Sequence, residues 1–167
     1  GNLIWQTPTQ NSLVYDTGFF LKTSDVVADK EALFFSNNQN QFYSLNAQTG
    51  NLNWKQEINS NLRPVIINDL IFTISSEGYL IIIEKKTGNI IRSNYLLNKF
   101  KVKNRAKIKP NGFIVGNKNI YLSTNIGRLL VIDISTGETK TILKIYNKKI
   151  SRPAIFNKNL YVITDNS

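Results

Sequence analysis

The sequence predicts an all-β fold of repeated four-stranded antiparallel units, the blades of a β-propeller. Three observations lead there. Residues 43–54, 81–92 and 130–141 align without gaps, each as an apolar strand, a polar Asn46, Glu84 or Asp133, two further residues, Thr-Gly and a second strand. The Thr-Gly pairs begin at Thr49, Thr87 and Thr136, at intervals of 38 and 49 residues, which is the length of one four-stranded blade. Val, Ile, Tyr and Phe dominate the apolar segments, and Gly or Asn interrupts them about every eight to twelve residues, which excludes helical repeats of similar length.

Taken in order, residues 1–6 are the outer strand of a preceding blade. Gly1-Asn2-Leu3-Ile4-Trp5 repeats Gly50-Asn51-Leu52-Asn53-Trp54 at four of five positions. Residues 24–55 form the first complete blade, in which strands 25–28 and 32–36 flank a turn at Asp29-Lys30-Glu31 before the hairpin begins. Residues 62–93 form the second, with strands 62–67 and 70–75 about a turn at Asn68-Asp69. Its unbroken apolar run, Leu80 to Ile83, reads as an inner strand covered on both faces by neighbouring blades. Residues 112–145 form the third, with strands 112–115 and 119–124 about Gly116-Asn117-Lys118, and residues 151–167 begin the next. One outer strand, three blades and two inner strands make about half of an eight-bladed ring. A half-ring exposes two broad apolar faces, so either a longer protein or two copies closing one ring is expected.

Each hairpin has a local chemical rationale. A side-chain oxygen of Asn46, Glu84 or Asp133 can accept from backbone N–H groups of its turn, and Gly supplies the positive φ.

Composition narrows the function. The chain has no Cys and no His, so it carries no disulfide, no thiol nucleophile, and neither the commonest general base nor the commonest metal ligand. A catalytic role, a resident metal and a redox cofactor are therefore not expected. No apolar stretch is long enough to span a bilayer, and any export signal or lipid anchor is expected outside this sequence. The net charge of +10 is uneven. Residues 1–84 carry four basic and eight acidic side chains, a net of −4, and residues 85–167 carry seventeen and three, a net of +14. The basic half suits an acidic partner, anionic lipid or nucleic acid, or it reflects the compositional bias of an Asn- and Ile-rich chain.

The pattern Asp-x-x-Thr-Gly-x-x-x-Trp after a Leu/Tyr-rich strand resembles the PQQ-type (quinoprotein-like) propeller repeat. Asn46 to Trp54 matches it best, with Asn for Asp; Asp133-Ile134-Ser135-Thr136-Gly137 keeps the acid but has Thr141 at the Trp position, and Glu84-Lys85-Lys86-Thr87-Gly88 ends at Arg92. In that family the Trp docks over the next blade, a role the resemblance assigns to Trp5 and Trp54. Enzymes of the family hold pyrroloquinoline quinone with a Ca²⁺ carboxylate cluster, a catalytic Asp and often a vicinal Cys pair. Here the second half has only Asp133, Glu138 and Asp165, too few converging oxygens for calcium. Ser75-Ser76-Glu77-Gly78-Tyr79-Leu80 and the Arg63-Pro64 and Arg152-Pro153 blade openings are similar to the BamB subfamily of outer-membrane assembly lipoproteins. That resemblance implies a non-catalytic, periplasmic, outer-membrane-associated scaffold whose partners are other assembly proteins. A ligand- or polysaccharide-binding propeller domain of a larger receptor or enzyme is the alternative.

The longer repeats contain insertions near residues 7–23 and 94–110, both between an outer strand and the next inner strand. Both are therefore expected on one face of the ring, opposite the Thr-Gly turns, where the binding loops of repeat arrays cluster. Tyr15, Phe19 and Phe20 in the first insertion are either exposed anchors or cover for the blade edge. In the second, Lys99, Lys101, Lys103, Arg105, Lys107 and Lys109 alternate with Phe100, Val102, Ala106 and Ile108, which predicts a strand with one basic face. That face is either a partner or anion surface or the charge that guards a sheet edge. Nucleic acid is not an expected partner, because aromatics do not interleave with the basic residues on one face.

Overall fold

The computed structural model describes residues 2–9 and 22–164. Among these, three four-stranded antiparallel sheets follow one another along the chain, each in the up-and-down order of a blade. The first contains β1 (Val27–Ala28), β2 (Ala32–Asn37), β3 (Gln41–Asn46) and β4 (Leu52–Gln56). The second contains β5 (Val65–Ile67), β6 (Leu70–Ile74), β7 (Tyr79–Glu84) and β8 (Ile90–Tyr95). A four-residue helix, α1 (Val102–Arg105), leads to the third: β9 (Pro110–Val115), β10 (Asn119–Thr124), β11 (Arg128–Asp133) and β12 (Thr139–Lys144). A two-stranded sheet, β13 (Ala154–Phe156) with β14 (Asn159–Tyr161), follows.

The alternation of strand side chains determines how the blades stack. Along β7, Leu80 and Ile82 point into a cluster shared with the third blade, where they meet Phe113, Ile120, Leu130 and Ile132. Ile81 and Ile83 point the other way, into a cluster with Phe34 and Phe42 of the first blade and Ile58 just after it. All four are buried, so the unbroken apolar run is an inner strand wetted on neither face.

The three hairpins repeat in detail. Gly50, Gly88 and Gly137 adopt φ of 72°, 79° and 74°, and each donates its N–H to the carbonyl of Asn46, Glu84 or Asp133. Asn46 Oδ1 accepts the N–H groups of Gln48 and Thr49, and Asp133 Oδ1 those of Ser135 and Thr136. Glu84, one methylene longer, instead accepts the hydroxyl of Thr87 through its carboxylate. Register shifts fall at equivalent places, between Ser44 and Leu45, Ile82 and Ile83, and Val131 and Ile132. Each shift bulges one residue of the outer strand, and a bulge bends the strand and re-aims the next side chain. The re-aimed residues are Trp54, Arg92 and Thr141.

Those side chains latch blade to blade. Trp5 Nε1 donates to Ala47 O at 3.1 Å and Trp54 Nε1 to Lys85 O at 3.0 Å. The Trp54 ring lies over Gly88, whose absent Cβ would sit 2.6 Å from Cδ2, and its other side meets Phe34 and Phe42. Arg92, where the repeat leads one to expect Trp, donates its guanidinium to Ser135 O in the third blade's turn. Thr141 is exposed.

One prediction of structure fails. Residues 99–109 form no strand; they wind through i→i+3 backbone bonds from Asn104 to Lys101, Lys107 to Asn104 and Ile108 to Arg105. Two features defeat the alternation. Asn104 interrupts the apolar series, and the core uses only its ends: Ile108 is buried and Phe100 half-buried, while Val102 is 76% exposed. Leu96 and Leu97 are both fully buried, which turns the chain inward straight after β8 and leaves no extended path. Backbone groups satisfied by local turns need no ladder.

Candidate functional site

The basic segment is a compact turn rather than a ribbon, and its arginine organises it. Arg105 Nε donates to Phe100 O at 2.9 Å and Nη2 to Asn98 O at 2.6 Å, closing the loop on itself. Its guanidinium carbon lies 5.8 Å from the centroid of the Tyr95 ring, within cation–π range. Tyr95 in turn meets Tyr79 across the hairpin, with ring centroids 4.9 Å apart. Lys99 Nζ donates to Lys140 O at 2.8 Å and ties the turn to β12. Lys109 exchanges backbone and side-chain bonds with Asn125 in the β10–β11 loop, at 3.0 Å and 2.7 Å, and Asn125 Nδ2 reaches Lys107 O.

The six basic residues therefore divide. Arg105 and Lys99 use their charged groups as internal ties. Lys101, Lys103, Lys107 and Lys109 are exposed, and among the described residues their ammonium groups form no hydrogen bond or ion pair. Together with Val102 they cover a knob held from below by Phe100 and Ile108. The knob lies beside the β10–β11 loop. The same tie recurs in the first blade, where Lys22 pairs with Asn38 of the β2–β3 loop through Lys22 O and Asn38 Oδ1. Both insertions thus rejoin the blades on the face opposite the Thr-Gly turns. Tyr15, Phe19 and Phe20 lie outside the described residues.

Sequence reasoning missed the Tyr79–Tyr95–Arg105 ladder. Counting outward from the Thr87-Gly88 turn with one bulged residue pairs Tyr79 with Tyr95, but the bulge is not visible in residue types. On the opposite face, a cleft of about 860 Å³ opens between the first two blades, lined by Asp29, Glu31, Asp69, Lys85 and Lys86 among others. One pair of its charges is joined: Lys85 meets Asp29 at 3.0 Å, and the Asp29 carboxylate also accepts the N–H groups of Glu31 and Ala32. No group of three or more His, Cys, Asp or Glu among the described residues could hold a metal ion.

Residues 1–94 match the family model of the outer membrane protein assembly factor BamB. The chain belongs to the BamB family. Over 138 residues it is 26% identical to the outer membrane protein assembly factor BamB of Legionella pneumophila (strain Paris), covering 81% of this chain and 31% of that protein. The fold is similar to that of BamB from Moraxella catarrhalis, with a TM-score of 0.67 at 14% identity over 83% of this chain and 39% of that one. It is also similar to the computationally designed Ika4 protein, with a TM-score of 0.69 at 11% identity over 98% of both chains. The chain thus spans about a third of the length of the natural BamB proteins it matches. Within the BamB family pattern, Arg92 and Thr141 are departures at the latching position, and Arg92 performs the latch with different chemistry.

Proposed function

We propose that this chain is a non-catalytic propeller scaffold that binds other proteins of outer-membrane assembly on the periplasmic side, through the face that carries its long connections. Residues 24–55, 62–93 and 112–145 act as successive blades, with 1–6 and 151–167 belonging to the blades on either side. Family membership supports the class of function. The observation that carries the surface assignment is the knob of residues 99–109: four lysines whose ammonium groups have no partner among the described residues, and an exposed Val102, on a turn fixed by Arg105, Phe100 and Ile108. A preorganised turn loses little conformational entropy on binding, and its charges attract an acidic protein surface before contact. Lys99, Lys101, Lys103, Arg105, Lys107 and Lys109 all belong to this surface, the lysines with free ammonium groups as its contacts and the other two as its supports.

Replacing Lys101, Lys103, Lys107 and Lys109 together with Glu tests the assignment. Binding to the solubilised outer-membrane assembly complex of the host should weaken about tenfold or more at physiological salt. The difference should shrink in 1 M salt, where the screening length falls to about 3 Å. A matched variant with Glu at Lys30, Lys86, Lys118 and Lys158, in turns of the opposite face, should bind like the parent. Folding should change little in both, because exposed charges contribute about 1 kcal/mol or less each. Equal loss of binding in the two variants would remove the knob from the interface.

A further inference from the structure

The openings of the blades meet in a second place. Thr23 and Asp25 ahead of β1, Arg63 ahead of β5, Asn111 and Gly112 in β9, and Arg152 ahead of β13 line one cavity of about 180 Å³. Arg152 is seated there by the missing side chain of Gly112: a Cβ at that position would lie 2.6 Å from Arg152 Cβ and 2.9 Å from its Cα, a backbone atom that cannot give way. Arg152 Nε donates to Phe113 O at 3.1 Å, which fixes the plane of the guanidinium. Its two terminal nitrogens make no hydrogen bond among the described residues, and neither does the guanidinium of exposed Arg63.

Two like charges beside one small cavity repel. Burial and the neighbouring Arg63 charge both lower the pKa of Arg152, and Asp25 offsets this only in part. Asp25 forms no ion pair with either arginine; the described ion pairs are Lys85–Asp29 and Lys140–Asp133. The cavity therefore presents two guanidiniums with donors left over and one acid, Asp25, that acts on Arg152 through its charge but forms an ion pair with neither arginine.

We propose that this cavity is an anion site, in which the free edge of Arg152 holds a carboxylate or phosphate group and Arg63 closes over it. Guanidinium forks match the two oxygens of such groups. The volume decides the size of ligand: pockets for drug-sized molecules run about 300–1,000 Å³, so this one admits a small anionic group and no large cofactor. That group is either a free anion or the tip of an acidic side chain on a partner's loop. The site stands apart from the lysine knob and does not depend on it.

The test is an NMR titration of the 167-residue chain, following the arginine Nε–Hε signals at constant ionic strength in chloride. Inorganic phosphate is one arm, and a blocked Gly-Glu-Gly peptide is the other. The signals of Arg63 and Arg152 should shift and saturate, while that of Arg128, whose guanidinium is already bonded to Ile126 O and Tyr146 O, stays put. Tighter binding of phosphate identifies a free anion, and tighter binding of the peptide identifies a partner's carboxylate. R63Q should weaken binding about tenfold with an unchanged melting curve, because the Arg63 guanidinium makes no hydrogen bond or ion pair among the described residues, and Asp25→Asn should strengthen it. Absence of saturation in both arms, equal shifts at Arg128, or unchanged affinity in R63Q would overturn the proposal.

Discussion

Three side chains hold successive units together by the same act, donating a hydrogen bond to a carbonyl in the next hairpin turn. Trp5 and Trp54 add a ring to that bond, and Arg92 adds a charge. The ring is worth more. Trp54 packs between Phe34, Phe42 and the bare Cα of Gly88, so Trp54→Ala should cost about 3 kcal/mol by urea denaturation. Arg92 is half-exposed, and Arg92→Ala should cost about 1 kcal/mol. Arg92→Trp, which restores the family's residue, should recover at least the parent stability. If Arg92→Ala proves as costly as Trp54→Ala, the guanidinium contributes more than its one bond to Ser135. The repeat alone could not reveal this latch. It flags Arg92 as a mismatch, and only the bulge ahead of it shows that an unrelated donor reaches the same kind of acceptor.

At the scale of the element, the Thr-Gly hairpin is where sequence and structure agree most closely, because its bonds are all local. Asp133 shows how strongly such a turn can hold a charge. The Lys140 ammonium at 2.5 Å, the Ser135 hydroxyl and the turn N–H groups keep its carboxyl well below the ordinary value of 3.8. A pKa depressed in the folded state means that the ionised turn contributes stability above the unfolded value near 4. That contribution is lost as the pH falls through the lowered folded value. A carboxyl ¹³C titration of Lys140→Met should show the Asp133 pKa rising toward 3.8 but stopping short of it, since the turn N–H groups remain. Its acid-unfolding curve should differ from the parent's above about pH 4 and converge with it at the acid end. The strands, turns and two-sided burial of Leu80 to Ile83 were legible for the same reason as the hairpin: period-two alternation and turn chemistry act over a few residues. Segment 99–109 was misread because its alternation is real in the residue types but unused. Burial of Leu96 and Leu97 upstream and the reach of Arg105 back to Asn98 O help decide its path, and both rest on residues outside the segment. The six basic residues of the candidate surface were legible as a group, but their division into ties and free charges depends on folded geometry: Lys99 reaches Lys140 O, distant in sequence, and Arg105 reaches back to Asn98 O and Phe100 O.

For the whole molecule, the contrast between the middle and the ends is what matters. The second blade is covered on both faces. Beyond the third blade, Phe156 is 67% exposed and Ile163 69% exposed, and at the other end Ile4 is 86% exposed. A stable soluble monomer rarely leaves contiguous apolar surface of more than a few hundred Å² uncovered. Charge adds direction to that demand. Residues 1–84 carry a net of −4 and residues 85–167 a net of +14, so the acidic end of one copy attracts the basic end of another more than its own kind. Two copies meeting head to tail at both junctions close a ring, whereas like ends meeting would oppose both charge and strand order. The 167-residue chain alone should therefore associate in solution through an interface above about 1,000 Å², measurable by sedimentation equilibrium. Salt should slow the encounter, because steering is electrostatic, yet leave the apolar junction intact once formed. Phe156→Lys with Ile163→Lys should weaken association at least tenfold without shifting the melting of the second and third blades, whose core lies elsewhere. A single monomeric species at high micromolar concentration would show that the exposed apolar residues of the two ends do not form a surface that requires a second copy.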